Sequence, residues 1–155
     1  MELRDAAATE KLGRELAGLL PDDTGGWIVL LQGELGTGKS TLARSMLRAL
    51  GHEGIVPSPT YTLVEPYRLG ERAVYHVDLY RIANPNELEF LGWSDLRDGL
   101  LLIEWPERVE SLARDADVLV ELSYEGEGRS AVITGLSERG RQLIGQGLKE
   151  KSLNH

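Results

Sequence analysis

The sequence contains no cysteine among its 155 residues, and it has no long apolar run. The first absence excludes a disulfide framework, a thiolate metal site and a cysteine nucleophile. The second excludes a spanning helix, which needs roughly 20 consecutive apolar residues. The first five residues, Met-Glu-Leu-Arg-Asp, are too polar and acidic for a secretion signal. We therefore expect a cytoplasmic protein that stays out of the membrane and holds any metal ion through oxygen or histidine ligands.

Basic side chains are also scarce. Lysine and arginine total 17 against 25 aspartates and glutamates, which gives a formal net charge of −8. A polyphosphate backbone repels such a chain, so if nucleic acid is involved we expect partner proteins to hold most of it. The length of 155 residues suits one α/β domain. No repeat, low-complexity tract or linker divides residues 1–155, and we predict a single domain.

Hydrophobic patterning predicts alternating helices and strands. An amphipathic helix is expected over residues 3–20, followed by a buried strand over 27–31, a glycine-rich loop and a helix over 40–50. Residues 55–67 should begin as an ordered loop and become an extended strand. Further strands are predicted at 72–81, 100–105, 118–124 and 130–134, and helices at 86–91 and 136–148. On the strand at 72–81, alternation places His76 and Asp78 on one face.

The segment that carries the chemistry is Gly33-Glu-Leu-Gly-Thr-Gly-Lys-Ser40. It fits the pattern G-x-x-x-x-G-K followed by Ser or Thr, in which backbone N–H groups and a helix N-terminus surround phosphates. Lys39 is placed to reach the β and γ phosphates, and the Ser40 hydroxyl to ligate Mg²⁺. An ordinary glycine turn is the alternative, but the preceding buried strand and the following helix favour a P-loop.

An NTPase also needs a carboxylate near the metal and a group that positions the attacking water. Ligands of open α/β sheets lie beyond the C-terminal ends of the strands, where Asp78 and Glu104 are expected. Taken singly, each could instead be a solvated strand-end carboxylate. His76 could orient a ligand, or it could be a hydrogen-bonded structural histidine.

Two further positions have open alternatives. Thr60 precedes Tyr61 in a proline-containing loop. Its hydroxyl is either a switch group that senses the γ-phosphate or an ordinary polar group of a turn. The indole of Trp105, between Glu104 and Pro106, is either a stacking or partner surface or part of the core.

Four blocks together resemble the bacterial TsaE ATPases, which support threonylcarbamoyladenosine formation in tRNA. They are Gly33-Glu-Leu-Gly-Thr-Gly-Lys-Ser-Thr41, Ser58-Pro-Thr-Tyr-Thr-Leu-Val-Glu-Pro-Tyr67, His76-Val-Asp-Leu-Tyr-Arg81 and Ile103-Glu-Trp-Pro-Glu107. The first block alone indicates only a P-loop protein, whereas the second and fourth are hard to find together elsewhere. The resemblance runs from about residue 9 to the C-terminal helix.

The resemblance implies an α/β, three-layer P-loop NTPase fold, in which antiparallel strands extend a parallel sheet and helices flank it. It implies an ATPase that is weak alone and works with two partners, a Kae1-type threonylcarbamoyl transferase subunit and its inactive paralogue. Those partners would carry the tRNA chemistry. Hydrolysis of ATP to ADP and phosphate would reset the complex between turnovers rather than activate the substrate.

The resemblance also implies roles for individual residues. The catalytic set is Lys39, Asp78, Glu104 and Thr60. The residues implied to contact the phosphates or the rest of the nucleotide are Gly33, Gly36, Thr37, Gly38, Lys39, Ser40, Thr41, Arg81 and Arg129. The residues implied to contact the metal are Ser40, Glu104 and Asp78. Thr60, Tyr61 and Trp105 are the implied switch or partner positions. Thr37 and Ser40 depart from the family's frequent alanine and threonine, but a serine hydroxyl still ligates Mg²⁺.

Three other functions remain open on sequence grounds. A small-molecule kinase would carry an arginine-bearing lid, for which residues 108–114 supply two arginines but no glycine hinges. A GTPase is disfavoured because no Asn-Lys-x-Asp segment is present. A scaffold that binds ATP without hydrolysing it is disfavoured by the two strand-end carboxylates.

Overall fold

The described part of the chain forms one mixed sheet with helices on both faces. The computed structural model describes residues 1–59, 62–90 and 92–153, except for the side chains of residues 90 and 146–153. The strands are β1 Glu2–Leu3, β2 Ile28–Gln32, β3 Val64–Leu69, β4 Arg72–Asp78, β5 Leu100–Glu104, β6 Val118–Glu125 and β7 Gly128–Gly135. The helices are α1 Ala6–Leu19, α2 Lys39–Ala49, α3 Glu87–Phe90, α4 Trp93–Leu96, α5 Leu112–Asp115 and α6 Glu138–Leu153, with a 3₁₀ turn at Pro106–Arg108.

The strand order is β1-β7-β6-β2-β5-β4-β3. Strands β4, β5, β2 and β6 run parallel to one another, whereas the outer pairs β3–β4, β6–β7 and β7–β1 are antiparallel. The predicted fold class is therefore confirmed, including the antiparallel extension. Because β2 lies between β5 and β6, the loop that follows β2 opens at the C-terminal edge of the parallel strands, where ligands of such sheets bind.

The central strands separate two hydrophobic clusters. Side chains alternate along β2, with Val29 and Leu31 in the cluster under α1, α2 and α6, and Ile28 and Leu30 in the cluster under the short helices α3 to α5. Both faces of β2 are thus buried, which explains its continuous apolar run. Leu31 is 0% exposed, and burial of such a side chain contributes about 1.5–3 kcal/mol. The site therefore rests on a rigid central strand.

Several predicted boundaries were wrong, and contacts in the structure explain each difference. The first helix begins at Ala6, not at residue 3, because residues 2–3 pair with β7 and the Asp5 side chain caps Ala8 N–H at 2.9 Å. The strand predicted over 72–81 ends at Asp78, whose carboxylate accepts the Tyr80 N–H at 2.9 Å and turns the chain. The predicted 100–105 strand ends at Glu104, since Trp105 has a φ of 60°.

Other elements agree in type but differ in extent. Strand β3 and the β6–β7 hairpin confirm the expected extended segments, although the hairpin strands are longer than predicted. The short helix predicted over 86–91 is α3, with residue 91 outside the described part. The closing helix begins at Glu138 rather than at residue 136. Helices α4 and α5, one turn each, were not predicted. Among the described residues no helix is long and apolar enough to cross a membrane.

Candidate nucleotide-binding site

The loop between β2 and α2 contains two positions, Gly33 and Gly36, where the surrounding structure leaves no room for a side chain. A Cβ on Gly33 would lie 2.5 Å from the Leu122 carbonyl oxygen of β6, so the loop can leave β2 at this point only without a side chain. Gly36 has a φ of 78°, and a Cβ there would lie 2.7 Å from the Tyr124 hydroxyl. Both positions therefore favour glycine for steric reasons.

The β6–β7 hairpin holds the outer side of this loop. The Tyr124 hydroxyl donates to the Leu35 carbonyl, and the Arg129 guanidinium donates to the Gly36 carbonyl at 3.2 and 3.4 Å. The guanidinium also stacks on the Tyr124 ring at 4.3 Å. Sequence reasoning missed Tyr124, because its contact with the loop requires β6 to lie beside β2. These contacts hold the carbonyl groups of Leu35 and Gly36 in place.

Lys39 is the first residue of α2 and is 5% exposed. Its ammonium donates to the Gly33 carbonyl and, at 2.9 Å, to the Glu34 carbonyl, and it lies 4.1 Å from the Trp105 ring centroid. Burial lowers the pKa of Lys39, and the carboxylates of Glu104, Glu107 and Asp78 partly oppose that effect. The lysine therefore points a buried positive charge into the loop, where an anion would stabilise it.

The two strand-end carboxylates lie side by side. Asp78 and Glu104 are register partners in the parallel β4–β5 ladder, and they are 5% and 2% exposed. The Ser40 hydroxyl donates to Glu104 Oε1 at 3.0 Å. On its other oxygen, Oε2, Glu104 contacts His76 Nε2 at 2.5 Å. Strand register and the start of α2 thus bring together three groups that are far apart in sequence.

A cavity of about 300 Å³ lies over these groups. Ten of the described residues line this cavity, and eight of them were predicted from the sequence as site residues: Gly36, Gly38, Lys39, Ser40, Thr41, Asp78, Glu104 and Trp105. The other two are Leu35 and Tyr80. One wall is therefore the glycine-rich loop and the start of α2, and the other is formed by the ends of β4 and β5. Such a cavity has room for a phosphate group and its counter-ion between a lysine and two carboxylates.

The remaining predicted residues lie elsewhere. Thr37 is buried and donates to the Glu34 carbonyl at 2.7 Å, so it shapes the loop from within. Arg129 contacts the loop from the hairpin side, and Arg81 is exposed and outside the residues that line the cavity. Thr60 and Tyr61, the predicted switch positions, are outside the described residues.

Trp105 lies partly in the hydrophobic cluster and partly on the wall of the cavity. Its indole packs against the cluster under α3 to α5, and it also faces Lys39 and the Tyr80 ring, whose centroid is 4.9 Å away. Its φ of 60° is uncommon for a side chain of this size. The Arg108 guanidinium lies 5.4 Å from the Tyr80 ring centroid. An aromatic wall that sequence reasoning only half anticipated therefore borders the cavity.

The residues present fit a magnesium ion. Mg²⁺ prefers oxygen ligands and is usually bound by one or two carboxylates together with substrate phosphates and water. Ser40 Oγ and Glu104 Oε1 already lie 3.0 Å apart, with Asp78 on the same cavity. Within the described ranges no three histidine, aspartate or glutamate side chains form a metal cage. The set therefore suits a metal that arrives with a phosphate ligand.

Comparison with known proteins identifies the family. The model of the family described as "Threonylcarbamoyl adenosine biosynthesis protein TsaE" matches residues 3–132. The chain belongs to the TsaE family. The match extends from β1 into β7 and so includes the P-loop, both carboxylates, Trp105 and Arg129, which the TsaE resemblance had singled out.

Three relatives carry the name tRNA threonylcarbamoyladenosine biosynthesis protein TsaE. The protein of Haemophilus influenzae is 44% identical over 119 residues, which cover 76% of this chain and 75% of the relative. That of Synechocystis is 44% identical over 116 residues and covers 71% of each chain. That of Streptomyces coelicolor is 39% identical over 139 residues, with 83% of this chain and 91% of the relative covered.

A solved structure supports the same fold. The crystal structure of YdiB from Bacillus subtilis superposes with a TM-score of 0.75 and covers 97% of this chain and 94% of its own. The two sequences are 20% identical, so this likeness concerns the fold alone.

Proposed function

We propose that this chain binds and hydrolyses Mg·ATP as one component of the machinery that forms threonylcarbamoyladenosine in tRNA, at the adenosine next to the anticodon. Membership of the TsaE family supports the pathway. The observation that supports the chemistry best is the meeting of Lys39, Ser40, Asp78 and Glu104 on one cavity at the C-terminal edge of the parallel strands.

The residues have distinct expected tasks. Backbone N–H groups of residues 36–41 and the α2 N-terminus would bind the phosphates. Lys39 would exchange its carbonyl partners for phosphate oxygens, a charge-assisted contact roughly twice as strong as a neutral one. Ser40 and Glu104 would hold Mg²⁺, which neutralises charge on the phosphates when bound. Asp78 would act on the metal through water or position the attacking water.

Partners complete the proposal. The net charge of −8 works against independent tRNA binding, so we propose that a Kae1-type transferase and its inactive paralogue hold the tRNA. ATP turnover would then reset that complex rather than activate substrate, through the loop that contains Thr60 and Tyr61 together with the Trp105 surface. We infer a cytoplasmic location from the expected tRNA substrate, and we propose that residues 1–155 act as one domain.

The experiment that tests the ATPase proposal is Lys39→Ala. This variant should lose hydrolysis of ATP and bind the phosphates more weakly, because no other lysine among the described residues lines the cavity. The matched control is Lys11→Ala, which removes an exposed lysine of α1. Steady-state hydrolysis and calorimetric titration with ATP report the two effects separately. Unchanged hydrolysis by Lys39→Ala would sink the proposal.

A further inference from the structure

His76 is a buried polar side chain that the proposed chemistry leaves without a task. It lies on β4, two residues before Asp78, and is 2% exposed. Its Nε2 lies 2.5 Å from Glu104 Oε2, while its Nδ1 is buried with no hydrogen-bond partner in the described structure. Buried polar side chains are normally hydrogen-bonded throughout, so a buried histidine with one ring nitrogen on a carboxylate and the other unpaired calls for an explanation.

The unpaired nitrogen assigns the tautomer. A proton on Nδ1 would leave a buried donor without an acceptor, which costs about 1–3 kcal/mol. A proton on Nε2 instead donates to the Glu104 carboxylate and leaves only a lone pair at Nδ1. The contact is therefore a hydrogen bond from His76 Nε2–H to Glu104 Oε2.

This bond fixes which way the carboxylate faces. With Oε2 held by His76, the other oxygen, Oε1, lies 3.0 Å from Ser40 Oγ on the cavity side. The chain of groups runs from β4 through β5 to the first turn of α2, so three separate elements set one geometry. A ligand carboxylate whose second oxygen is hydrogen-bonded keeps its orientation, so it is already turned toward the metal position.

We propose that His76 is a positioning residue, which orients Glu104 so that Glu104 Oε1 and Ser40 Oγ together receive the Mg²⁺ that accompanies the nucleotide. The inference rests on the proposed function, because it assigns the residue that prepares that same site. His76 itself touches neither nucleotide nor metal, and its effect is confined to the metal-dependent part of binding. Loss of an outer hydrogen bond of this kind costs typically 10- to 100-fold in metal affinity.

The test uses two substitutions at one position and one control. His76→Leu keeps the bulk and removes the donor, whereas His76→Gln restores an N–H close to the position of Nε2. His52→Leu is the control, since His52 is a partly exposed histidine that contacts the Ile55 carbonyl. Calorimetry measures ADP affinity in EDTA and then in a Mg²⁺ titration. In the unsubstituted chain, nitrogen-15 NMR of the histidine rings shows which nitrogen of His76 carries the proton.

We expect His76→Leu to weaken the Mg²⁺-dependent gain in ADP affinity at least tenfold, with affinity in EDTA within twofold of the original. His76→Gln should recover most of the loss, and His52→Leu should change neither quantity. Three results would each overturn the inference. The first is a Mg²⁺ titration of His76→Leu that matches the original chain. The second is an equal loss of ADP affinity in EDTA that His76→Gln does not rescue, and the third is a proton on Nδ1 of His76. If the unsubstituted chain showed no Mg²⁺-dependent ADP binding, the proposed function itself would fail and this inference with it.

Discussion

Asp117 joins the site's central strand to the last helix, and its replacement by asparagine should destabilise the fold. The carboxylate side chain is 3% exposed and accepts four hydrogen bonds. They come from Ile28 N–H at 2.9 Å, from the Ser137 hydroxyl at 2.7 Å, and from Arg139 at 2.7 and 3.1 Å. One residue therefore ties the first residue of β2 to the start of β6 and to the start of α6.

The expected magnitude follows from these contacts. Asparagine keeps one acceptor oxygen and turns the other into an NH₂ group that faces donors, so either the buried Ile28 N–H or the Ser137 hydroxyl loses its acceptor. That loss costs about 1–3 kcal/mol. The Arg139 side chain is 46% exposed, so solvent screens the ion pair and its loss adds at most about 1 kcal/mol. Asp117→Asn should thus lower the free energy of unfolding by about 1–4 kcal/mol.

The effect should depend on pH with a defined sign. Burial on its own raises the pKa of Asp117, but hydrogen bonds from Arg139, Ile28 and Ser137 outweigh it and hold the pKa below its ordinary value. The carboxylate therefore stabilises the fold fully above the unfolded-state pKa of about 3.9. This contribution is lost as the pH falls below that value through the folded-state pKa. The difference between the original chain and Asp117→Asn should shrink in that acidic window.

Urea unfolding at pH 7 and below pH 4 measures the loss of stability in Asp117→Asn and its dependence on pH. Tryptophan fluorescence is a suitable probe, because the Arg139 guanidinium lies 4.4 Å from the Trp27 ring centroid. The matched control is Asp115→Asn. Asp115 is 61% exposed and lies 3.8 Å from Arg97, so its substitution should change stability by less than about 0.5 kcal/mol. If the two variants were equally stable at pH 7, the reasoning on Asp117 would be refuted.

Two further predictions concern the site. Glu104→Ala should slow ATP hydrolysis more than it weakens ATP binding, because the carboxylate is expected on the metal rather than on the nucleotide, and an unchanged hydrolysis rate would remove Glu104 from the site. Gly33→Ala should abolish ATP binding, since its Cβ would lie 2.5 Å from the Leu122 carbonyl oxygen and displace the loop. The control is Gly18→Ala, because a Cβ at residue 18 would meet no atom within 4 Å. This variant should stabilise α1 by about 0.5–1 kcal/mol. Equal ATP binding by both glycine variants would contradict the steric argument.

The sequence predicted the parts of the site that depend on local order. A glycine-rich loop between an apolar run and a helical pattern indicated the P-loop at residues 33–41. Asp78 and Glu104 could be placed near it because parallel strands end at a common edge, and β4 and β5 do end at these two residues. Each of these inferences needs only spacing along the chain.

Contacts that depend on strand order and register could not be predicted from the sequence. The Tyr124 and Arg129 contacts with the loop require β6 to lie beside β2, and the bond between His76 and Glu104 requires the β4–β5 register. Leu3 of strand β1 was placed in the predicted first helix because its strand pairing comes from β7, over 120 positions later in the chain. The Asp117 network likewise joins residues 28, 117, 137 and 139, which no local pattern connects.

The central claim, that ATP hydrolysis here serves tRNA modification, is tested most directly by reconstitution. ATP hydrolysis and threonylcarbamoyladenosine formation are measured for the purified chain alone and with the transferase subunit, its inactive paralogue and tRNA, with Lys39→Ala as the blank. The proposal predicts hydrolysis that is weak alone, rises with the partners and accompanies repeated rounds of tRNA modification. Hydrolysis indifferent to these partners but stimulated by a small hydroxyl metabolite, with that metabolite phosphorylated, would contradict it and favour a kinase.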